Sequence, residues 1–122
     1  MKTILLVGSG GAIGSILRYL TSKWLQSYFT ILFPFGTLGV NMIGCFAIGL
    51  IFGLFEKTTW LNDDWRIFLA VGICGGFTTF SSFANENVTL LRAGLYLQFA
   101  LYAALSVFLG ILLAYFGFRL IK

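Results

Sequence analysis

Apolar residues run through this chain in four long blocks, Thr3 to Leu20, Phe35 to Phe55, Ile67 to Ala84 and Ala93 to Phe118, separated by short polar stretches. A helix that crosses the ~30 Å hydrocarbon core of a bilayer needs about 20 such residues, so each block is predicted to be a transmembrane helix. The connections differ in chemistry. Ser22 to Pro34 is mixed, Glu56 to Arg66 holds three of the four acids, and Val88 to Arg92 is a brief polar shoulder. The expected fold class is an all-α membrane protein, one four-span domain over residues 1–122.

Composition supports this pattern. With 59% hydrophobic residues, 10% charged and no histidine, a water-soluble domain of this size would lack the polar surface to cover itself. A lysine ahead of the first apolar block also suits a cleaved signal peptide, but the glycine-rich centre of that block and Arg18 speak against it. Cys45 and Cys74 fall inside predicted spans, where they read as small packing residues. They imply no disulfide framework or metal site.

The third block carries the sequence GICGGFTTFSSF from Gly72 to Phe83. Non-helical backbone at membrane depth is tolerated only where it is buried in protein or lines a cavity, because hydrocarbon cannot satisfy freed N–H and C=O groups. Gly75 and Gly76 are the expected break, near the middle of the third span. The first half of such a helix ends in unpaired carbonyls and the second begins with unpaired N–H groups. Discontinuous membrane helices present these ends to ions, so carbonyls near Gly75 and Thr78 are expected ligands for a buried cation.

An even number of spans puts both termini and the second connection on one side of the membrane. Lys2, Lys57, Arg66, Arg119 and Lys122 then face Arg18, Lys23 and Arg92 on the other. Orientation follows Lys/Arg asymmetry, and so small a bias predicts insertion both ways, giving an antiparallel, dual-topology homodimer. The alternative is a single orientation with an unremarkable loop bias. Gly10 and Gly14, Gly49 and Gly53, and Gly72 and Gly76 each stand four apart. Such pairs let helix backbones approach closely and support assembly, although they also pack single chains.

Several functions are disfavoured. Gly8 to Gly14 looks like a dinucleotide-binding glycine loop, but that fingerprint requires a βαβ unit that the chain does not offer. General acid and base chemistry needs titratable groups within reach of one another. Here histidine is absent, Glu56, Asp63 and Asp64 lie in a connection, and Glu86 is the sole acid near a span. No enzyme and no nucleic-acid partner are expected. Proton-coupled transport, which uses carboxylates or histidines within the membrane, rests on Glu86 alone.

The remaining intramembrane polar residues are uncharged and fall into stripes, since helical positions three or four apart share a face. Thr37 and Asn41 are four apart, as are Tyr102 and Ser106; Phe80 and Phe83 are three apart, with Glu86 three further on. Hydroxyls and amides donate hydrogen bonds without fixed charge, and a phenyl ring has a positive edge. Such a lining favours a small anion. The same residue types also bond helices together or fill space.

Three segments, GGAIGSILRY (Gly10 to Tyr19), PFGTLGVN (Pro34 to Asn41) and GGFTTFSSFANE (Gly75 to Glu86), closely resemble signature segments of the Fluc, or CrcB, fluoride channels. The resemblance covers the whole chain, with one mild departure at Ser15, where many members carry alanine. It implies a passive, fluoride-selective channel that exports cytoplasmic fluoride. It also implies a dual-topology homodimer with two antiparallel pores, each drawing residues from both subunits, and a structural sodium ion (Na+) at the dimer interface. By the family's pattern Phe80 and Phe83 form an aromatic box whose edges line the fluoride path. Asn41 donates its amide to fluoride, and Ser81 and Thr37 add polar lining. Tyr102 and Ser106 map onto a polar track whose next hydroxyl position falls on Gly110. Arg18 and Glu86 map to the pore ends, Arg18 at an aqueous vestibule. The sodium ligands carried over are the main-chain carbonyls of Gly75 and Thr78.

No organic cofactor is implied, and the expected location is the bacterial inner membrane, as a multi-pass single unit rather than a fused two-repeat version. A selective fluoride pore must replace a tightly held hydration shell with well-placed donors yet bind weakly enough for exit. The runner-up is a small dual-topology multidrug transporter coupled to protons, which needs a membrane-embedded carboxylate in its first span; Thr3 to Leu20 contains none. A structural assembly subunit without conductance is the third reading.

Overall fold

The computed structural model describes residues 1–29, 33–60 and 62–121, and among them all regular structure is helical. Helix α1 spans Lys2–Gln26 and α2 Phe35–Lys57; α3 occupies residues 63–77, α4 spans Phe80–Arg92 and α5 Tyr96–Ile121. With α3 and α4 taken as one stretch, Asp63–Arg92, four helices are long and apolar enough to cross a membrane. The outer surface is correspondingly apolar: Ile4, Leu5, Ile16, Leu97, Phe108 and Ile111 are all exposed. Hydrocarbon in place of water removes the reason to bury them.

The helices outrun their apolar blocks because local capping, not hydrophobicity, decides where they end. Helix α1 continues through Ser22 and Lys23 to Gln26. Helix α3 begins at Asp63, where the Asn62 side chain accepts the Trp65 N–H at 3.2 Å and Asp63 and Asp64 sit at the positive end of the helix dipole. The acidic stretch from Glu56 to Arg66, read as a connection, is therefore partly helix at both ends. Helix α4 stops in a Schellman motif: the Leu95 N–H donates to the Leu90 carbonyl at 3.0 Å and the Gly94 N–H to Leu91 at 3.1 Å. Gly94 adopts φ +75°, which glycine takes without steric penalty. That turn moves the start of the last helix from the expected Ala93 to Tyr96.

The bend in the third span also lies elsewhere than expected. Gly75 is helical at φ −63°, ψ −38°, and Gly75–Phe77 is still a helical turn. Thr78 (φ −87°, ψ 157°) and Thr79 (φ −150°, ψ 122°) are the extended residues. Upstream, Ile67–Cys74 is wound as a π-helix, with the Gly75 N–H reaching back to the Ala70 carbonyl. Its wider turns shift the helix face just before the bend.

Helix α5 packs along α2, α3 packs along α1, and α1 also touches α2. The small-residue pairs make these contacts. A methyl group on Gly10 would lie 2.9 Å from the Gly72 Cα, and one on Gly76 2.6 Å from the Gly11 carbonyl. Gly14 abuts the Ile73 carbonyl and Gly49 the Ala114 carbonyl, while a methyl on Gly53 would meet Ile121 at 2.9 Å. All three pairs thus pack helices within one protomer, the second of the two roles such pairs serve. A cluster of Phe33, Leu90 and Tyr102, flanked by Phe35, Leu38, Phe83, Leu95 and Phe99, forms the buried apolar core.

Candidate functional site

The site is organised around the two extended residues. In an unbroken helix the Thr79 N–H would donate to the Gly75 carbonyl four residues back. Instead it donates to Asn41 Oδ1 at 3.0 Å, and Asn41 Nδ2 donates to the Thr79 carbonyl at 3.2 Å. Thr79 then serves as N-cap of α4, its hydroxyl accepting the Ser82 N–H at 3.2 Å. On the preceding side, Thr78 closes the last turn of α3 through its N–H and its hydroxyl, both donating to the Cys74 carbonyl at 3.0 Å. Arg18 reaches inward, its Nε donating to the Gly76 carbonyl at 3.1 Å. A cation at the negative end of a helix is favourable. This contact sets the position of Arg18.

The predicted polar stripes converge as two groups. In the first, Glu86 accepts a hydrogen bond from the Thr37 hydroxyl at 2.9 Å and another from the Tyr102 hydroxyl at 3.0 Å. Thr37 and Tyr102 are buried. The Tyr102 ring also lies 5.0 Å from that of Phe83, which lies 5.6 Å from Phe80. In the second, Asn41, Thr78, Thr79, Phe80, Phe83 and Ser106 line one groove of about 390 Å³. None of its lining residues is charged. Ser106 Oγ is buried without a hydrogen-bond partner among the described residues, and Phe80 is 78% exposed at the groove edge. Ser81 is exposed, its hydroxyl 3.4 Å from that of Thr79.

A family model described as CrcB-like protein, Camphor Resistance (CrcB), matches residues 5–118 of the chain. The chain belongs to the CrcB family. Among curated CrcB-like relatives, a fluoride-specific ion channel FluC of Flavobacterium psychrophilum is 44% identical over 100% of this chain and 98% of its own length. One of Thermus thermophilus is 49% identical over 98% of this chain and 94% of its own, and one of Phocaeicola vulgatus 47% identical over 92% of each. These relatives are named as ion channels, not enzymes.

Within this CrcB chain the position where the resemblance implied a further hydroxyl, one turn beyond Ser106, is Gly110. A side chain there would meet Cys45 Sγ at 3.3 Å and Met42 Cε at 3.6 Å, so sulfur-bearing side chains occupy the level where a hydroxyl was expected. Two residues not singled out from sequence also matter. Thr79 borders both the groove and a second cavity on the Arg18 side, and Ser82 lines that second cavity. The signal for Thr79 was present, since a threonine just ahead of a resumed helix is a strong N-cap.

Proposed function

We propose that this chain forms a passive, fluoride-selective channel that exports cytoplasmic fluoride across the bacterial inner membrane. It works as an antiparallel, dual-topology homodimer with two pores. The observation that carries this reading is the groove beside the bend, lined by the Phe80 and Phe83 rings, the Asn41 amide, the hydroxyls of Thr78, Thr79 and Ser106 and otherwise apolar residues, with no charged side chain among its described lining. A small, strongly hydrated anion requires donors that substitute for water without trapping the ion. Ser106 Oγ, buried and unpartnered, offers one such donor. Asn41 offers its second amide hydrogen, the first being bonded to Thr79. Phe80 and Phe83 turn positive edges toward the path, with Thr37, Ser81 and Tyr102 as adjoining polar lining and Arg18 and Glu86 toward its ends.

The groove is open along one side in a single copy, and the exposure of Phe80 supports closure by a second copy. That arrangement places residues of both subunits around each pore. A central sodium suits the chemistry of the bend, because the Thr79 N–H that would have capped the Gly75 carbonyl is committed to Asn41. The Gly75 and Thr78 carbonyls would hold it. When bound, the ion supplies positive potential beside the groove and ties the two bends together. This chain's own part is to free those carbonyls and hold them still.

The test is efflux from liposomes containing the purified protein, with fluoride and chloride followed at fixed voltage. Rapid loss of fluoride with chloride retained is expected. Proton-dependent drug flux would favour the multidrug transporter, and silence to both ions would favour a structural subunit.

A further inference from the structure

We infer that the thiol of Cys45 is a further hydrogen-bond donor on the fluoride path, at the level where the polar lining of α5 stops; the inference rests on the channel reading above. Helices α2 and α5 lie side by side and advance in the same direction, since Gly49 abuts Ala114 and Gly53 faces Ile121. On α2, Thr37, Asn41 and Cys45 stand four apart, and on α5 so do Tyr102, Ser106 and Gly110. Positions four apart share a face of a helix and climb about 6 Å per step. The two series therefore form a ladder of three rungs.

Each rung is visible in the contacts. Thr37 and Tyr102 both donate to Glu86, at 2.9 and 3.0 Å. Asn41 and Ser106 line the same groove. At the third rung a β-carbon on Gly110 would lie 3.3 Å from Cys45 Sγ. Glycine gives this rung no side chain from α5. Met42, whose Cε would lie 3.6 Å from the same point, is a thioether with no proton to donate. Cys45 also lines the groove, so its S–H is the donor that the ladder offers at this level.

That proton is unspent. Hydroxyls along this chain's helices turn back on the carbonyl four residues earlier: Ser9 on Leu5 at 2.7 Å, Thr58 on Leu54 at 2.7 Å and Thr89 on Asn85 at 3.1 Å. Cys45 makes no hydrogen bond among the described residues, and it is half-buried rather than sealed in the core. One rung away, Ser106 Oγ is likewise without a partner among the described residues. Two free donors on successive rungs, one from each helix, give an anion its next position once it leaves Asn41. A thiol donates more weakly than a hydroxyl, and weak binding at several sites is what lets an ion move on.

The experiment compares variants of the full chain in liposomes, reading fluoride efflux on each alongside thermal unfolding in detergent. Cys45→Ser keeps a donor and should conduct at the parent rate or faster. Cys45→Ala and Cys45→Val should each slow efflux about three- to tenfold, the weight of one neutral hydrogen bond, although valine still fills the space. Adding Gly110→Ser to Cys45→Ala returns a hydroxyl to the rung from the opposite helix and should restore most of the lost efflux. A packing role predicts the reverse order, with valine retaining efflux and serine losing it, and that result overturns the inference. So does a doubly substituted protein that melts as the parent does yet stays slow. A parent that retains fluoride overturns the channel reading and this inference with it, whereas a conducting parent matched by Cys45→Val overturns the role of the thiol alone.

Discussion

Asn41 holds Thr79 by both faces of one peptide residue, accepting from its N–H at 3.0 Å and donating to its carbonyl at 3.2 Å. The two residues are 38 apart in sequence. This clamp lets extended backbone exist at membrane depth, where each unsatisfied group would be costly. It also releases the Gly75 carbonyl from its helical duty.

Asn41→Ala should therefore destabilise the protein by roughly 1–3 kcal/mol, the cost of leaving buried backbone groups unpaired. Asn41→Asp keeps the acceptor but sets a carboxylate oxygen against the Thr79 carbonyl, so it should abolish fluoride efflux and cost at least as much stability as the alanine variant. Thermal unfolding in detergent and liposome efflux, measured side by side, check both outcomes. Normal efflux through Asn41→Asp would remove this side chain from the pore.

The two phenylalanines should behave differently. Phe80 is mostly exposed in one copy, so Phe80→Ile should suppress efflux while the protomer melts as before. Phe83 packs on Tyr102, with ring centroids 5.0 Å apart. Phe83→Ile should lower both efflux and melting temperature. If Phe80→Ile conducts at the parent rate, the ring edge is not part of the path.

The carboxylate of Glu86 is bound by two hydroxyls, and removing one tests their worth. Tyr102→Phe keeps the ring against Phe33 and Phe83 but deletes the donor 3.0 Å from Glu86. A loss of about 1.5–3 kcal/mol is expected for a hydrogen bond to a charged group. The loss should shrink in a Glu86→Gln background, which a double-mutant cycle by thermal denaturation reads directly.

Glycine positions predict a further contrast. A methyl group on Gly49 would press on the Ala114 carbonyl, whereas one on Gly8 meets nothing within 4 Å. Gly49→Ala should cost roughly 1–3 kcal/mol through overpacking. Gly8→Ala should be neutral or stabilising by up to about 1 kcal/mol, as expected for a helix interior. Circular dichroism melts of the two variants distinguish packing from backbone entropy.

Sodium dependence follows from the proposed carbonyl ligands. Replacement of all sodium by a large organic cation should sharply reduce fluoride efflux and favour dissociation of the dimer, as followed by crosslinking. Unchanged efflux and unchanged crosslinking would make the cation dispensable.

The four spans were legible because a bilayer imposes a length and an apolarity that any reader of the chain can measure. The stop at Gly94 and the N-cap at Thr79 were also written locally. The place of the bend was not. Gly75 and Gly76 look like breakers, yet a β-carbon on Gly76 would clash with the Gly11 carbonyl, so its absence serves packing against α1. The turn instead leaves the helix at Thr78 and Thr79, where Asn41 supplies the missing partners. Periodicity likewise put Phe80, Phe83 and Glu86 on a common face. It could not show that Phe80 opens to the groove while Glu86 turns toward Thr37 and Tyr102.

Local chemistry thus determined that this chain is four membrane helices with a polar seam made mostly of uncharged side chains, since hydrocarbon enforces backbone pairing within each segment. Tertiary structure decided which hydroxyls and amides meet, where the third span bends and which glycines are spent on packing. Those outcomes depend on partners such as Asn41 and Thr79, or Thr37 and Glu86, whose separation of 38 and 49 residues leaves no trace in any local pattern.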